Sequence, residues 1–288
     1  MSPDKSIRRR GVYLLPNLLT SAALFAGFYS VISGINGKFE PAAIAIIVAG
    51  LLDGLDGRVA RLTNTQSDFG EQYDSLSDLI SFGLAPALLA FNWSLSSLSE
   101  ISTFAGKLGW LAAFLFVACA ALRLARFNTQ VGIADKRYFQ GLASPAAAGT
   151  LVFTIWFFVD NGVAGETVRW LIFLEVVTLG LLMFTNVRYY SFKATPDGEK
   201  VPGVWLLLAL LVIVLLALDP PLMGMLLGCA YVISGLLITV AGRRSWKIKR
   251  DKRSPKEVKR EPEIGSPTAT DETGSKDRHD AGTGSGHA

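Results

Sequence analysis

The sequence predicts an all-α polytopic membrane protein with about eight transmembrane helices, and three observations support this fold class. Half of its 288 residues are hydrophobic, and its mean hydropathy is +0.38. Runs without any charge, such as residues 220–242, match the roughly 20 residues that a helix needs to cross about 30 Å of hydrocarbon. Positive charges are concentrated in alternate connecting segments, as in proteins that cross a membrane several times.

Eight apolar segments are predicted to span the membrane. When the N-terminus is placed in the cytoplasm, all but three of the 28 Lys and Arg residues fall on the cytoplasmic side. This asymmetry predicts that both termini are cytoplasmic and that residues 1–12, 13–242 and 243–288 form an N-terminal segment, a membrane domain and a tail. The predicted spans are 13–35, 41–62, 70–92, 107–126, 143–160, 167–186, 202–218 and 220–242.

The tail after residue 242 begins with a basic stretch, with ten Lys and Arg residues between Arg243 and Arg260. Beyond Arg260 it is rich in Ser, Thr, Gly and Asp, a composition that cannot bury enough apolar surface to fold. We therefore expect a disordered cytoplasmic tail. Its basic part suits attraction to an anionic membrane leaflet, and we expect no nucleic-acid partner.

Side chains that commonly perform acid–base or metal chemistry are scarce in the membrane domain. The only histidines, His279 and His287, lie in the tail. The two cysteines, Cys119 and Cys229, lie in apolar segments and are interpreted as small buried hydrophobic residues. Chemistry within the membrane domain must therefore depend on carboxylates.

Four aspartates interrupt the second and third predicted spans. Asp53 and Asp56 are three residues apart, and Asp74 and Asp78 are four apart, so each pair shares one helix face. The short connection over 63–69 makes the two helices antiparallel neighbours and allows the pairs to converge in one groove. Four uncompensated carboxylates at bilayer depth would cost about 10 kcal/mol, so the groove must contain something that offsets their charge.

Hard divalent cations such as Mg²⁺ or Mn²⁺ are the best match for a site that offers only oxygen ligands. Two such ions suit phosphoryl displacement, and a groove at headgroup depth with Arg61 nearby suggests a phosphate-bearing lipid substrate. Two alternatives remain open at this point. A buried salt-bridge network is poorly balanced because four acids face one nearby arginine, and a cation pathway predicts acids at several depths.

The aspartate segment resembles the signature of the CDP-alcohol phosphatidyltransferases, D-x2-D-G-x2-A-R-x8-G-x3-D-x3-D. All eight fixed positions are filled here, by Asp53, Asp56, Gly57, Ala60, Arg61, Gly70, Asp74 and Asp78. Four further stretches, GVYLLPNLLT, DSLSDLISFGLAPALL, LRLARFN and FQGLASPAAA, are similar to the phosphatidylserine synthase branch of that family. The resemblance extends over roughly residues 8–242.

The resemblance implies a bundle of the CDP-alcohol phosphatidyltransferase type and a set of site residues. Two Mg²⁺ or Mn²⁺ ions would be held by Asp53, Asp56, Asp74 and Asp78, and Asp78 would also be the general base. CDP-diacylglycerol would be bound by residues of the first three spans: Asn17, Thr20, Asp56, Gly57, Ala60, Arg61 and Gly70.

The acceptor implied by the resemblance is L-serine. Its carboxylate needs a cationic partner, and the candidates near the cytoplasmic opening are Arg123, Arg126, Asn128 and Arg188. The alternatives are the same chemistry with choline, glycerol 3-phosphate or an inositol phosphate, and, more remotely, a cation transporter. The resemblance further implies an enzyme of the bacterial cytoplasmic (inner) membrane, in contact with membrane lipids and assembled as a homodimer.

Two further residues carry expectations that the structure can test. Ser144 precedes Pro145 at the start of the fifth predicted span, an arrangement typical of an N-cap residue followed by proline. Glu175 lies well inside the sixth span, where it either pairs with a neighbouring helix or faces a cavity.

Overall fold

A computed structural model describes residues 3–63, 65, 67–129, 138–185, 187–190 and 203–251. This part of the chain is almost entirely helical. The compact unit of the chain ends at Arg243, within its last helix. The α-helices are α1 (Pro3–Ile35), α2 (Phe39–Thr63), α3 (Asp68–Asp78), α4 (Ala85–Trp93), α5 (Thr103–Thr129), α6 (Ser144–Asp160), α7 (Arg169–Phe184), α8 (Gly203–Leu218) and α9 (Pro220–Asp251).

Each predicted span coincides with helix in the structure, although α1 begins ten residues before the first predicted span and α9 ends nine residues after the last. The third span is not one uniform α-helix, because a π-helical segment, Leu79–Leu84, joins α3 to α4. Among the described residues, four helices are long and apolar enough to cross a membrane on their own: Leu15–Ile35, Asp68–Trp93, Thr103–Thr129 and Pro220–Thr239. The chain is therefore a polytopic helical membrane protein.

Small residues allow the helices around the groove to approach each other closely. Ala42, Ala43 and Ala49 of α2 are fully buried. At Gly27 of α1, an added Cβ would lie 2.6 Å from Ser81 Oγ of the π segment. Interfaces of this kind are typical of membrane helices, where contact between backbones replaces a hydrophobic driving force. Helix α1 packs against α2 and against the π segment that follows Asp78.

A short two-stranded ribbon, which the sequence did not predict, joins the ends of two connecting segments. Strand β1 (Tyr138–Gln140) pairs antiparallel with strand β2 (Arg188–Tyr190). The backbone N–H of Gly141 donates to the carbonyl of Val187 at 2.9 Å, and Gly141 has a φ of +84° that favours glycine. The ribbon thereby ties the start of α6 to the end of α7.

The expectation that Ser144 is the N-cap of its helix is wrong. The N-cap residue is Ala143, and no side chain caps this end of α6. The Ser144 hydroxyl instead accepts a hydrogen bond from Arg123 Nη1 at 2.8 Å. A long-range partner has therefore replaced the local bond that the Ser-Pro pattern favours.

Glu175 pairs with a neighbouring helix. Thr154 Oγ1 of α6 lies 2.9 Å from Glu175 Oε1 of α7 and donates a hydrogen bond to it. Cys229 of α9 also lies within electrostatic range of this carboxyl group. Polar contacts between helices at membrane depth are a recognised means of fixing their packing.

Candidate active site

Helices α2 and α3 bring three aspartates together in one groove. Carboxylate oxygens of Asp53, Asp56 and Asp74 all lie within 4.8 Å of one another. Asp53 and Asp74 are partly exposed, whereas Asp56 is buried. The groove thus has a closed inner wall and an accessible mouth, as a site for a diffusing ligand requires.

The buried aspartate is held by α1. Thr20 Oγ1 donates to Asp56 Oδ2 at 2.7 Å, and Thr20 itself is buried. The same hydroxyl lies 3.1 Å from the carbonyl of Pro16, one helical turn earlier. Because a buried carboxylate is costly without a donor, Thr20 both stabilises Asp56 and fixes its orientation.

Asp78 has different surroundings from the other three aspartates. It ends α3, immediately before the π segment, and its carboxyl group is within hydrogen-bonding reach of Asp53. It also faces Asp74 and the guanidinium of Arg123. Asp78 is therefore within electrostatic range of both the other aspartates and Arg123 of α5, and it adjoins a π segment, a feature that is frequent at functional sites.

Three residues that the resemblance assigned to the nucleotide lie near the end of α2: Gly57, Ala60 and Arg61. At Gly57 an added Cβ would meet nothing within 4 Å, so this stretch of α2 backbone faces open space. Arg61 is exposed and its Nε donates to the carbonyl of Gly57 at 2.9 Å. Ala60 is partly exposed beside them.

On the opposite side, Asn17 of α1 and Gly70 of α3 are neighbours. A Cβ at Gly70 would lie 3.4 Å from Asn17 Oδ1 and 3.1 Å from Ser67 Oγ. Ser67 is the N-cap of α3, and its hydroxyl accepts from the backbone N–H of Gly70 at 3.1 Å. The structure therefore places Asn17 beside Gly70 and Thr20 against Asp56.

The four candidate serine-binding residues are not equivalent. Arg123 is partly buried and points between Ser144 and Asp78. Arg126 Nη1 donates to the carbonyl of Phe184 at 3.4 Å, at the end of α7. Asn128 Nδ2 donates to Ser75 Oγ of α3 at 3.0 Å. Arg188 lies in β2, and its side chain is outside the described part of the structure.

Three residues near the groove were not singled out as site residues from the sequence. Ser21 Oγ and Tyr73 OH lie 2.8 Å apart and join α1 to α3 beside the aspartates. Tyr231 of α9 lies within electrostatic range of Arg123. The only sequence signal for Tyr231 is its spacing from two glycines. It follows Gly228 by three residues and Gly224 by seven, so all three residues share one helix face.

The aspartate groove fits divalent metal ions. The donors that converge in it are carboxylate oxygens, which are hard ligands suited to Mg²⁺ and Mn²⁺. A salt-bridge network between the four aspartates and the two arginines Arg61 and Arg123 would remain unbalanced, because four carboxylates would share two cations and Arg61 Nε already hydrogen-bonds the α2 backbone.

Comparisons with known proteins identify relatives of this chain. A family model described as CDP-alcohol phosphatidyltransferase matches residues 13–181. A CDP-diacylglycerol–serine O-phosphatidyltransferase of Helicobacter pylori is 39% identical over 194 residues, which cover 66% of this chain and 77% of the relative. The enzyme of the same name from Methanocaldococcus jannaschii is 35% identical over 164 residues, covering 57% and 70%. An archaetidylserine synthase of Methanothermobacter thermautotrophicus is 35% identical over 191 residues, covering 66% and 74%.

Proposed function

Because the chain belongs to the CDP-alcohol phosphatidyltransferase family, we propose that it transfers the phosphatidyl group of CDP-diacylglycerol to the hydroxyl of L-serine. The products are phosphatidylserine and CMP. The observation that carries this proposal is the convergence of Asp53, Asp56 and Asp74 in a groove whose sequence matches the family model. The names of the relatives support serine as the acceptor.

Two divalent ions, Mg²⁺ or Mn²⁺, would be held by Asp53, Asp56, Asp74 and Asp78. When bound, such ions neutralise pyrophosphate charge and stabilise the oxygen that leaves with CMP. The chain keeps these ligands in place through Thr20, which orients Asp56 from α1. The open backbone at Gly57 leaves room for a phosphate group beside α2.

We assign the role of general base for the acceptor hydroxyl to Asp78. The serine hydroxyl oxygen attacks the phosphorus that carries the diacylglycerol, the bond from this phosphorus to the CMP oxygen breaks, and the hydroxyl proton passes to the Asp78 carboxylate. The position of Asp78, between the other aspartates and Arg123, suits a residue that must contact the acceptor. Its main contribution is to orient the hydroxyl and to accept its proton late in the transition state.

We also propose the membrane location and the topology of the protein. The protein lies in a bacterial-type cytoplasmic membrane, with eight spans and with its termini and groove on the cytoplasmic side, as the distribution of Lys and Arg indicates. The proposed division into a 1–12 segment, a 13–242 catalytic domain and a 243–288 tail follows the same reasoning. The homodimer implied by the resemblance stays a prediction.

An acceptor panel tests the proposed function. Purified protein in detergent is incubated with CDP-diacylglycerol, Mg²⁺ or Mn²⁺, and one of serine, choline, glycerol 3-phosphate or an inositol phosphate, and CMP release is measured. We expect release with serine, its loss in EDTA and its return when either metal is added. Full activity in metal-free buffer, or preference for another acceptor, would contradict the proposal.

A further inference from the structure

Helix α9 packs closely on α6 through two glycines. A Cβ at Gly228 would lie 2.7 Å from Thr150 Oγ1, and a Cβ at Gly224 would overlap the ring of Phe153. The contacts run 224 to 153 and 228 to 150, so the two helices are antiparallel. Glycines four residues apart are a common means of bringing membrane helices into backbone contact.

This packing determines where Tyr231 lies. Tyr231 follows Gly228 by three residues and Gly224 by seven, so it shares their helix face. Continuing the antiparallel register moves it toward Ser144, where α6 begins. The electrostatic contact between the Tyr231 phenol and the Arg123 guanidinium agrees with this placement, because Arg123 Nη1 donates to Ser144 Oγ at 2.8 Å.

Arg123, Ser144 and Tyr231 therefore form a cluster from three helices beside the proposed base. A guanidinium has five N–H donors, of which Ser144 accepts one. The one guanidinium cation matches the single negative charge of a carboxylate, and the two hydroxyl groups are polar neighbours for it. Arg123 also faces Asp78. In serine only two carbon atoms separate the hydroxyl oxygen from the carboxyl carbon, so the carboxylate site must lie next to the base.

We propose that Arg123, Ser144 and Tyr231 form the subsite for the acceptor's carboxylate, in which the Tyr231 hydroxyl donates a hydrogen bond to that carboxylate. The inference rests on the proposed function and extends it. Arg123 supplies the charge, and Ser144 is a positioning residue that holds the guanidinium. Tyr231 lies on α9, beyond residues 13–181 that match the family model.

The test is the Tyr231→Phe variant, which retains the ring and removes only the hydroxyl. Tyr29→Phe is the matched control, because Tyr29 is an exposed residue of α1 far from this cluster in sequence. Steady-state kinetics are measured for L-serine and for ethanolamine, which lacks the carboxyl group, at saturating CDP-diacylglycerol. The KM for CDP-diacylglycerol is measured in parallel.

We expect Tyr231→Phe to raise the KM for serine about tenfold, the value for one lost hydrogen bond to a charged group, with kcat and the KM for CDP-diacylglycerol nearly unchanged. The kcat/KM for ethanolamine should change by less than about twofold, since it has no carboxyl group to contact Tyr231. Ser144→Ala should also raise the KM for serine, because the guanidinium loses its anchor. Tyr29→Phe should match wild type.

An unchanged KM for serine in Tyr231→Phe would overturn the inference while the proposed function stands. Equal losses for serine and ethanolamine would also overturn it, since they would indicate a packing role for the phenol. A wild-type protein that released no CMP with serine would instead overturn the proposed function, and the inference with it.

Discussion

Asp78 is the residue proposed for the acceptor side of the reaction, and its neighbours differ from those of the other three aspartates. It reaches Asp53 but also faces Arg123, whereas Asp53, Asp56 and Asp74 face one another. A change at Asp78 should therefore affect turnover more than lipid binding.

We expect Asp78→Asn to lower CMP release by about 100-fold or more, the usual contribution of a general base. Its binding of CDP-diacylglycerol should remain closer to wild type than that of Asp53→Asn or Asp74→Asn. Binding of the nucleotide lipid and single-turnover rates would be measured for all three variants. Turnover of Asp78→Asn at the wild-type rate would show that the base has been assigned to the wrong residue.

Gly57 offers a test of the nucleotide side that does not disturb the fold. An added Cβ meets nothing within 4 Å, and alanine is a better helix former than glycine, so Gly57→Ala should not destabilise the protein. If a phosphate approaches this backbone, the methyl group will displace it, and activity should fall by about tenfold or more.

The matched control for this variant is Gly149→Ala, on α6, where an added Cβ also meets nothing within 4 Å. Thermal unfolding in detergent and the KM for CDP-diacylglycerol would be compared for the two variants. Equal activities for both would contradict the placement of the nucleotide beside Gly57.

At the scale of helices, α5 presents two arginines one turn apart that the sequence could not distinguish. The structure separates them, because Arg123 faces Asp78 and Ser144 whereas Arg126 donates to a backbone carbonyl at the end of α7. Their different partners lie on helices distant in sequence, so periodicity along α5 carries no information about them.

Arg123→Ala should raise the KM for serine by about 10–100-fold, the range for a lost charge-assisted hydrogen bond, with a much smaller effect on the KM for CDP-diacylglycerol. Arg126→Ala should have the smaller effect of the two. Arg123→Lys should rescue only in part, because an ammonium group cannot reproduce bidentate geometry. The KM for serine of each variant is measured by titrating serine at saturating CDP-diacylglycerol. If only Arg188→Ala raised the KM for serine, the serine site would lie at the end of α7 instead.

The helices and the carboxylate groove could be predicted because their signals are local. Long charge-free runs identify the spans, and the spacings 53/56 and 74/78 place the aspartates on two faces joined by a short connection. The π segment, the ribbon and the contact of Tyr231 with Arg123 could not be predicted. These features depend on which helices pack against each other. A single tyrosine within an apolar run gives no sequence pattern from which its contact residue could be predicted.

For the whole molecule, the basic and polar tail is predicted to be dispensable for catalysis. Residues 261–288 show no apolar periodicity, and every site residue lies before residue 232. A chain that ends after Arg260 keeps the basic stretch and should fold and turn over at the wild-type specific activity in detergent. A lower specific activity would indicate that the tail docks on the membrane domain.

The central claim is that this groove joins a phosphatidyl group to serine, and its most direct test follows the serine itself. Isotopically labelled L-serine is incubated with the purified protein, CDP-diacylglycerol and Mn²⁺ or Mg²⁺, and the label is counted in the extracted lipid. We expect one labelled phosphatidylserine for each CMP released, and none with Asp56→Asn. CMP released without label in the lipid, or label incorporated without CDP-diacylglycerol, would contradict the account.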